Sequence, residues 1–435
     1  MAFRRQLKRL QTVYHQYPSQ FWVLILGTFI DHLGGALIYP FLTLYITRKF
    51  SVGMTEVGLV FGLFSISSVV GSTFGGAVTD RLGRKGMLVF GLVTSASATL
   101  VMGLANSLGF FLVSTVLVGL LAHSGGPAQQ ATVADLLPPE KRTQGFGILR
   151  VVANLAIAIG PAIGGVLAAK SYLLLFSCDV LLSLVAAAVV LFALRETKPE
   201  LGMGEVEQTV LQTFKGYRRV LQDVVFILFI MASVLRSFVA MQLTSTLPVF
   251  LRDVHGVSEQ GFGYVLSLNA GMVVLLQFPI ARRISPYRPL LVMAAGMALY
   301  AIGFGMYGLV GSYALFFVAV ATLTTGEMMT APVSQSLVSR LAPEDMRGRY
   351  MAVYGFSWVI PASVGPTLAG LVMDYGDPRW VWYGTFVIAL IAAAVFVMLQ
   401  RRAAQSFEPA EQPVSVDPSS PEEVPGQVLP WERSL

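Results

Sequence analysis

The chain has 435 residues, of which 55% are hydrophobic and 12% charged, and its mean hydropathy is +0.68. Soluble domains carry about 25% charged residues, so this composition cannot cover a water-facing surface and excludes a soluble globular protein. The net charge of +6 is not a nucleic-acid signature, because Lys and Arg gather in short stretches between long apolar runs; Cys178 is the single cysteine, which excludes an intrachain disulfide.

Residues 1–20 form a basic cytoplasmic segment with Arg4, Arg5, Lys8 and Arg9. Phe3, Leu7, Leu10 and Tyr14 share one helical face, which fits either a short interfacial helix or a plain basic tail. The first apolar run, 21–46, exceeds the roughly 7–15 residues of a cleavable signal core, so it reads as a retained anchor.

A spanning helix needs roughly 20 apolar residues. Twelve such runs follow in order. The first six are 21–46, 56–79, 86–105, 109–133, 145–169 and 172–194. The second six are 224–250, 261–281, 289–310, 313–338, 350–373 and 380–399. They predict an all-α membrane protein with an N-terminal six-helix half at 21–194 and a C-terminal half at 224–399. Between the halves lies a cytoplasmic linker at 195–223. The Pro- and Glu-rich tail, 400–435, reads as disordered.

Basic residues set the orientation. If the N-terminus is inside, 24 of the 30 Lys and Arg fall on the cytoplasmic side, against five outside: Arg48, Lys49, Lys170, Arg252 and Arg379. Both termini are therefore expected in the cytoplasm.

The halves repeat. Gly160-Pro161-Ala162-Ile163-Gly164-Gly165 matches Gly365-Pro366-Thr367-Leu368-Ala369-Gly370 at an offset of 205 residues. Arg142 with Arg347, and Pro127 with Pro332, keep the same offset. One register across fourth spans, loops and fifth spans indicates a duplicated unit.

The loop after the second run reads Gly75-Gly76-Ala77-Val78-Thr79-Asp80-Arg81-Leu82-Gly83-Arg84-Lys85-Gly86. This resembles motif A of the major facilitator superfamily, with matches at Gly76, Asp80, Arg81, Gly83, Arg84 and Lys85. The resemblance extends to about Arg402 and implies a fold of two six-helix halves. It also implies that Asp80 ties the N-terminal half to the start of span 11, near Arg347-Gly348-Arg349-Tyr350, and so stabilises an outward-open state. The plainer reading is positive-inside charge alone, which would leave Asp80 unexplained. Gly160, Pro161, Gly164 and Gly165 resemble motif C of the drug:proton exporters, with Ala156 where that motif has Gly. Tyr39-Pro40-Phe41 resembles motif D of the same branch. Motif B is incomplete: Thr115 stands where its Arg would be, four residues before Gly119, so that Arg's role does not carry over.

Ionisable residues within spans are costly and mark functional candidates. Here they are Asp31 and His32 in span 1, His123 in span 4, Asp179 in span 6, Arg236 in span 7 and Glu327 in span 10. Asp31 lies about ten residues into its helix, roughly 15 Å deep. Asp31, Glu327, Asp179, His123 and Arg236 form the proton-coupling set. The competing reading for each is a structural ion pair or hydrogen bond. Asp135 and Asp374, near span ends, read as solvated. Met231, Phe238, Met241, Met328 and Met329 give the candidate cavity spans an adaptable apolar surface, although packing or lipid contact explains each equally well.

No Walker sequence, metal cluster or nucleophile constellation occurs, which argues against ATP-driven pumping, catalysis, a metal or a cofactor. The expected function is proton-coupled efflux of a hydrophobic or amphipathic small molecule by alternating access, by a monomer in a plasma membrane. The expected partners are substrate, protons and the lipid bilayer, with no nucleic acid. Rivals are a proton symporter importing a sugar or metabolite, a flippase for lipid-linked cargo, and a non-transporting receptor.

The topology has a direct check. A reporter fused after Leu435 should be active only if it works in the cytoplasm. Activity of a periplasmic reporter there would require an odd number of spans and contradict the two-halves reading.

Overall fold

The computed structural model describes residues 16–122, 124–197, 219–343 and 346–402. Residues 1–15, most of the linker, the tail beyond Arg402 and His123 lie outside that set.

Twelve helices are long and apolar enough to cross a membrane. Span 1 comprises helix Ser19–Ile38, the 3-10 turn Tyr39–Phe41 and helix Leu42–Phe50. Span 2 is Met54–Leu82, span 3 Arg84–Leu104, and span 4 the two helices Leu108–Ala122 and Gly125–Leu136. Span 5 is Pro139–Lys170 and span 6 Tyr172–Ala193. In the second half, span 7 is Val224–Ser245, continued by helix Leu247–His255. Span 8 is Glu259–Ile284, span 9 Pro289–Leu309, span 10 Tyr313–Leu341, span 11 Arg347–Tyr375 and span 12 Trp380–Arg402.

These helices expose apolar side chains that water would not tolerate: Phe192 is 85% exposed and Leu309 77%. Only lipid can cover such a belt. Inside hydrocarbon, backbone groups must be satisfied within the segment, which is why apolar runs of this length become helices. Several helices overrun their apolar cores. Span 5 begins at Pro139, where a missing N–H costs nothing because the first turn leaves such donors unpaired. Spans 1 and 7 each end in a short helix set off by a proline, Pro40 and Pro248, which cannot donate to the preceding turn.

Each half has its own aromatic core. Tyr45 packs on Phe176 (4.8 Å between ring centroids), Phe111 (6.0 Å) and Tyr172 (5.4 Å). Phe250 packs on Trp382 (5.0 Å), and Phe316 stacks on Tyr307 (5.7 Å). Tyr45 and Phe250, and Phe111 and Phe316, are related by the 205-residue offset. Such ring pairs contribute about 0.5–1.5 kcal/mol each beyond area burial, so both halves are stiffened at the same end.

The halves meet along two helix pairs, span 2 with span 11 and span 5 with span 8. The repeat makes these one interface used twice. On the seam of spans 5 and 8, a Cβ on Gly165 would sit 3.0 Å from the Gly263 Cα. On the seam of spans 2 and 11, a Cβ on Gly58 would run into the Thr367 backbone, and one on Gly370 into the Met54 backbone. Gly58 and Gly263 are offset by 205 residues, as are Gly165 and Gly370. Small residues here let backbones touch, the usual route to helix contact in lipid.

Filling the seam should therefore hurt. Gly58→Val should lower the melting temperature measurably, in line with the about 1–3 kcal/mol typical of overpacking. Gly271→Val in span 8, where a new Cβ meets nothing within 4 Å, should leave it near the parent's. Equal melting temperatures for the two variants would contradict the close seam.

Candidate functional site

Two polar clusters sit among the apolar spans, one in each half. In the N-terminal half a cavity of about 330 Å³ opens between spans 1, 3, 4 and 6. Leu24, Leu88, Leu92 and Val190 give it apolar walls, and Thr28, Asp31, His32, Ser95 and Gln129 bring polar atoms to it. Gly27, Gly91, Gly125 and Gly126 line the rest and leave the space open.

Asp31 keeps about a third of its side chain exposed and lies 3.8 Å from the His32 Nδ1. His32 Nδ1 is also 3.0 Å from the Thr28 carbonyl, one turn back. Gln129 Nε2 donates to Thr28 Oγ1 at 2.7 Å, which links span 4 to span 1 across the cavity. Behind Asp31, the hydroxyl of Ser183 donates to its carboxylate. Asp179, one turn before Ser183, is 5% exposed and accepts from Thr99. The two carboxylates lie within each other's electrostatic reach. Gly34 makes room for this arrangement, since a Cβ there would run into Asp179 Oδ1.

In the C-terminal half Glu327 Oε2 accepts from Asn269 Nδ2 at 3.0 Å, and Asn269 also donates to Thr324 Oγ1 at 2.8 Å. Arg236 is 1% exposed, and its charge acts on Glu327. The guanidinium lies 4.8 Å over the Trp358 ring and donates from Nη2 to Ser237 Oγ at 3.1 Å, while Nε has no hydrogen-bond partner. Burying a guanidinium with so few bonds is expensive, and the Glu327 carboxylate offsets part of that cost at longer range. Asp31 and Arg236 are related by the 205-residue offset. The duplicated site thus carries a carboxylate in one half and a guanidinium in the other.

The sequence candidates therefore divide into two groups. Asp31, His32 and Asp179 come together, and Glu327 and Arg236 come together. Arg236 acts electrostatically on Glu327 rather than on Asp31. His123 lies outside the described residues. Sequence reasoning missed Thr99, Ser183, Gln129 and Asn269, which carry no charge and look like ordinary membrane-helix polar residues.

The side chains of Gly76, Asp80 and Arg81 in the span 2–3 motif also lie outside the described residues. The rest of the motif is defined. Gly83 alone separates the two helices, at φ +91°, a conformation that favours glycine. Glu196 accepts from the Arg84 and Lys85 backbone N–H groups at 2.9 and 3.2 Å, capping span 3. Arg84 Nε lies 3.1 Å from Asp135 Oδ2. Asp135 is thus an ion-pair partner rather than a merely solvated carboxylate. In the span 5 motif, Gly160 packs on Ala36 and Gly164 on the Leu37 carbonyl and Phe41 ring, while Gly165 meets span 8. Pro161 sits inside the helix beside this seam.

Twelve spans in two halves, with buried charge in each, define a membrane transporter fold. The Major Facilitator Superfamily model matches residues 24–366 and 331–433, and the chain belongs to that family. It is a multi-pass plasma-membrane protein. It is 29% identical over 398 residues to a Na(+), Li(+), K(+)/H(+) antiporter of Planococcus maritimus, covering 84% of this chain and 91% of the relative. It is 24% identical over 375 residues to the multidrug resistance protein MdtH of Salmonella typhimurium, covering 85% and 91%. Among solved structures, a peptide transporter POT in complex with sulfate superposes with a TM-score of 0.73 at 16% identity, covering 90% and 96%. A bacterial homolog of the human lysosomal transporter Spinster superposes with a TM-score of 0.71 at 16% identity, covering 89% and 98%.

Proposed function

We propose that this transporter exports a hydrophobic or amphipathic small molecule in exchange for protons, with its basic face in the cytoplasm. The observation that carries the reading is Asp31. It is a carboxylate on the wall of a cavity with apolar sides, backed by Asp179 and reachable from water. Such a group can bind a proton or a cationic cargo but gains little from both at once, which couples the two. Glu327 beside Arg236 is the second coupling candidate. His123 stays in the set on sequence grounds alone. The reading assigns the gate to Asp80 and its motif and inter-helix packing to the span 5 motif. It needs no cofactor, metal or catalytic group and works as a monomer.

A second reading keeps the proton and changes the cargo to an inorganic monovalent cation. Its support is the Planococcus maritimus relative, named for Na(+), Li(+) and K(+), together with the oxygen-rich surroundings of Asp31 and Asp179. Sugar import draws less support, because the Gly160-Pro161 element of span 5 resembles the motif C of exporters.

Asp31→Asn should separate coupling from binding. In proteoliposomes with an imposed pH gradient, uphill transport should fall at least about tenfold, while downhill exchange of labelled cargo persists. The panel should include lipophilic cations, Na⁺ and K⁺, and Glu327→Gln should be run beside it. If both variants still concentrate cargo with unchanged pH dependence, neither carboxylate couples transport.

A further inference from the structure

Among the described residues, an ion pair and a helix cap cross between the halves at the face opposite the basic one. Asp374, at the end of span 11, reaches the first turn of span 2. Its Oδ1 accepts from Met54 N at 2.9 Å, and its Oδ2 accepts from Thr55 N at 2.7 Å and Thr55 Oγ1 at 2.6 Å. Gly53, the N-cap residue of span 2, has no side-chain cap of its own. A side chain at Gly53 would occupy the place of the Asp374 carboxylate. One half therefore supplies the cap that the other half's helix lacks.

Further contacts surround this cap. Arg48 Nη1 lies 2.9 Å from Glu259 Oε1, which also accepts from Tyr172 OH at 3.2 Å. Arg252 Nη1 donates to Thr47 Oγ1 at 2.9 Å. At the basic face the pairs Arg84–Asp135, Tyr17–Gln144 and Tyr350–Asp223 each stay inside one half.

We propose that Asp374 is the latch that holds this face closed. A carboxylate at a helix N-terminus meets unpaired N–H donors and the positive end of the helix dipole, and bonds to an ionised acceptor are the stronger kind. Opening the face requires spans 2 and 11 to separate at this end. That leaves three donors to water and returns the carboxylate to solvent, where it is already half at home because Asp374 is exposed. The latch is thus strong enough to bias the closed state and cheap enough to release. Its role in the transport cycle rests on the alternating-access reading above, but its test reads geometry alone and stands whatever the cargo.

The test is a distance measurement by pulsed electron resonance. Spin labels are placed at Lys49→Cys and Asp377→Cys, both at exposed positions on this face, in a Cys178→Ala background. The parent should show one dominant short distance. Asp374→Ala should enlarge the long-distance population by about threefold or more, Asp374→Asn by less, and Thr55→Val, which removes one donor of three, by least. An Asp374→Ala protein that elutes as a folded species with the parent's distance distribution would overturn the proposal. If Asp374→Ala does not fold, unchanged distributions in both Asp374→Asn and Thr55→Val would overturn it equally.

Discussion

The close backbone approach of the two halves is the constraint on which the rest of this structure depends. Gly165 against Gly263, and Gly58 against Thr367, bring helices together at distances that no larger residue permits. Lipid gives helices little hydrophobic reason to associate, so contact of this kind must supply the attraction. It forms two seams, each along one helix pair. Each half also has an aromatic core of its own, and helix-pair seams between stiff bodies are where a rocking motion can occur. The Asp374 cap on the span 2 and span 11 pair fits this picture. Asp374 joins the end of span 11 to the start of span 2, and the motif around Asp80 is expected to join the opposite ends of the same two helices.

The charges follow the repeat but do not copy it. Asp31 and Arg236 hold equivalent places in spans 1 and 7, yet each is compensated within its own half, by hydroxyls and His32 in one case and by Glu327 and Trp358 in the other. The N-terminal cluster borders open space, whereas Arg236 is sealed in. This division favours the proposed exchange site at Asp31 over the Glu327 and Arg236 cluster as the place where cargo binds. The family and fold are those of membrane transporters; the cargo, the direction of transport and the coupling site are proposals.

Much of this architecture was legible in the chain. Spans are readable because a bilayer demands long apolar runs, and the 205-residue offset marks the two halves as copies of one unit. Helix ends were less legible, since hydrogen bonding continues past the hydrocarbon, as in span 5. The site was legible only as isolated charges. That Asp179 would stand behind Asp31, or Asn269 reach Glu327, depends on which helices become neighbours. Asp374 is the clearest case: it reads as a solvated residue at a helix end, and the backbone it caps lies 320 residues away. Nothing local marks such a contact.

The central claim is that proton and cargo compete for one site that includes Asp31. Proton release on cargo binding tests it most directly. Purified wild-type protein in weakly buffered solution, with a pH-sensitive dye, is titrated with lipophilic cations, Na⁺ and K⁺ while tryptophan fluorescence follows binding. The account predicts that a bound cargo releases protons in proportion to site occupancy, and that Asp31→Asn abolishes the release. Cargo that binds with no proton released at any pH would contradict it.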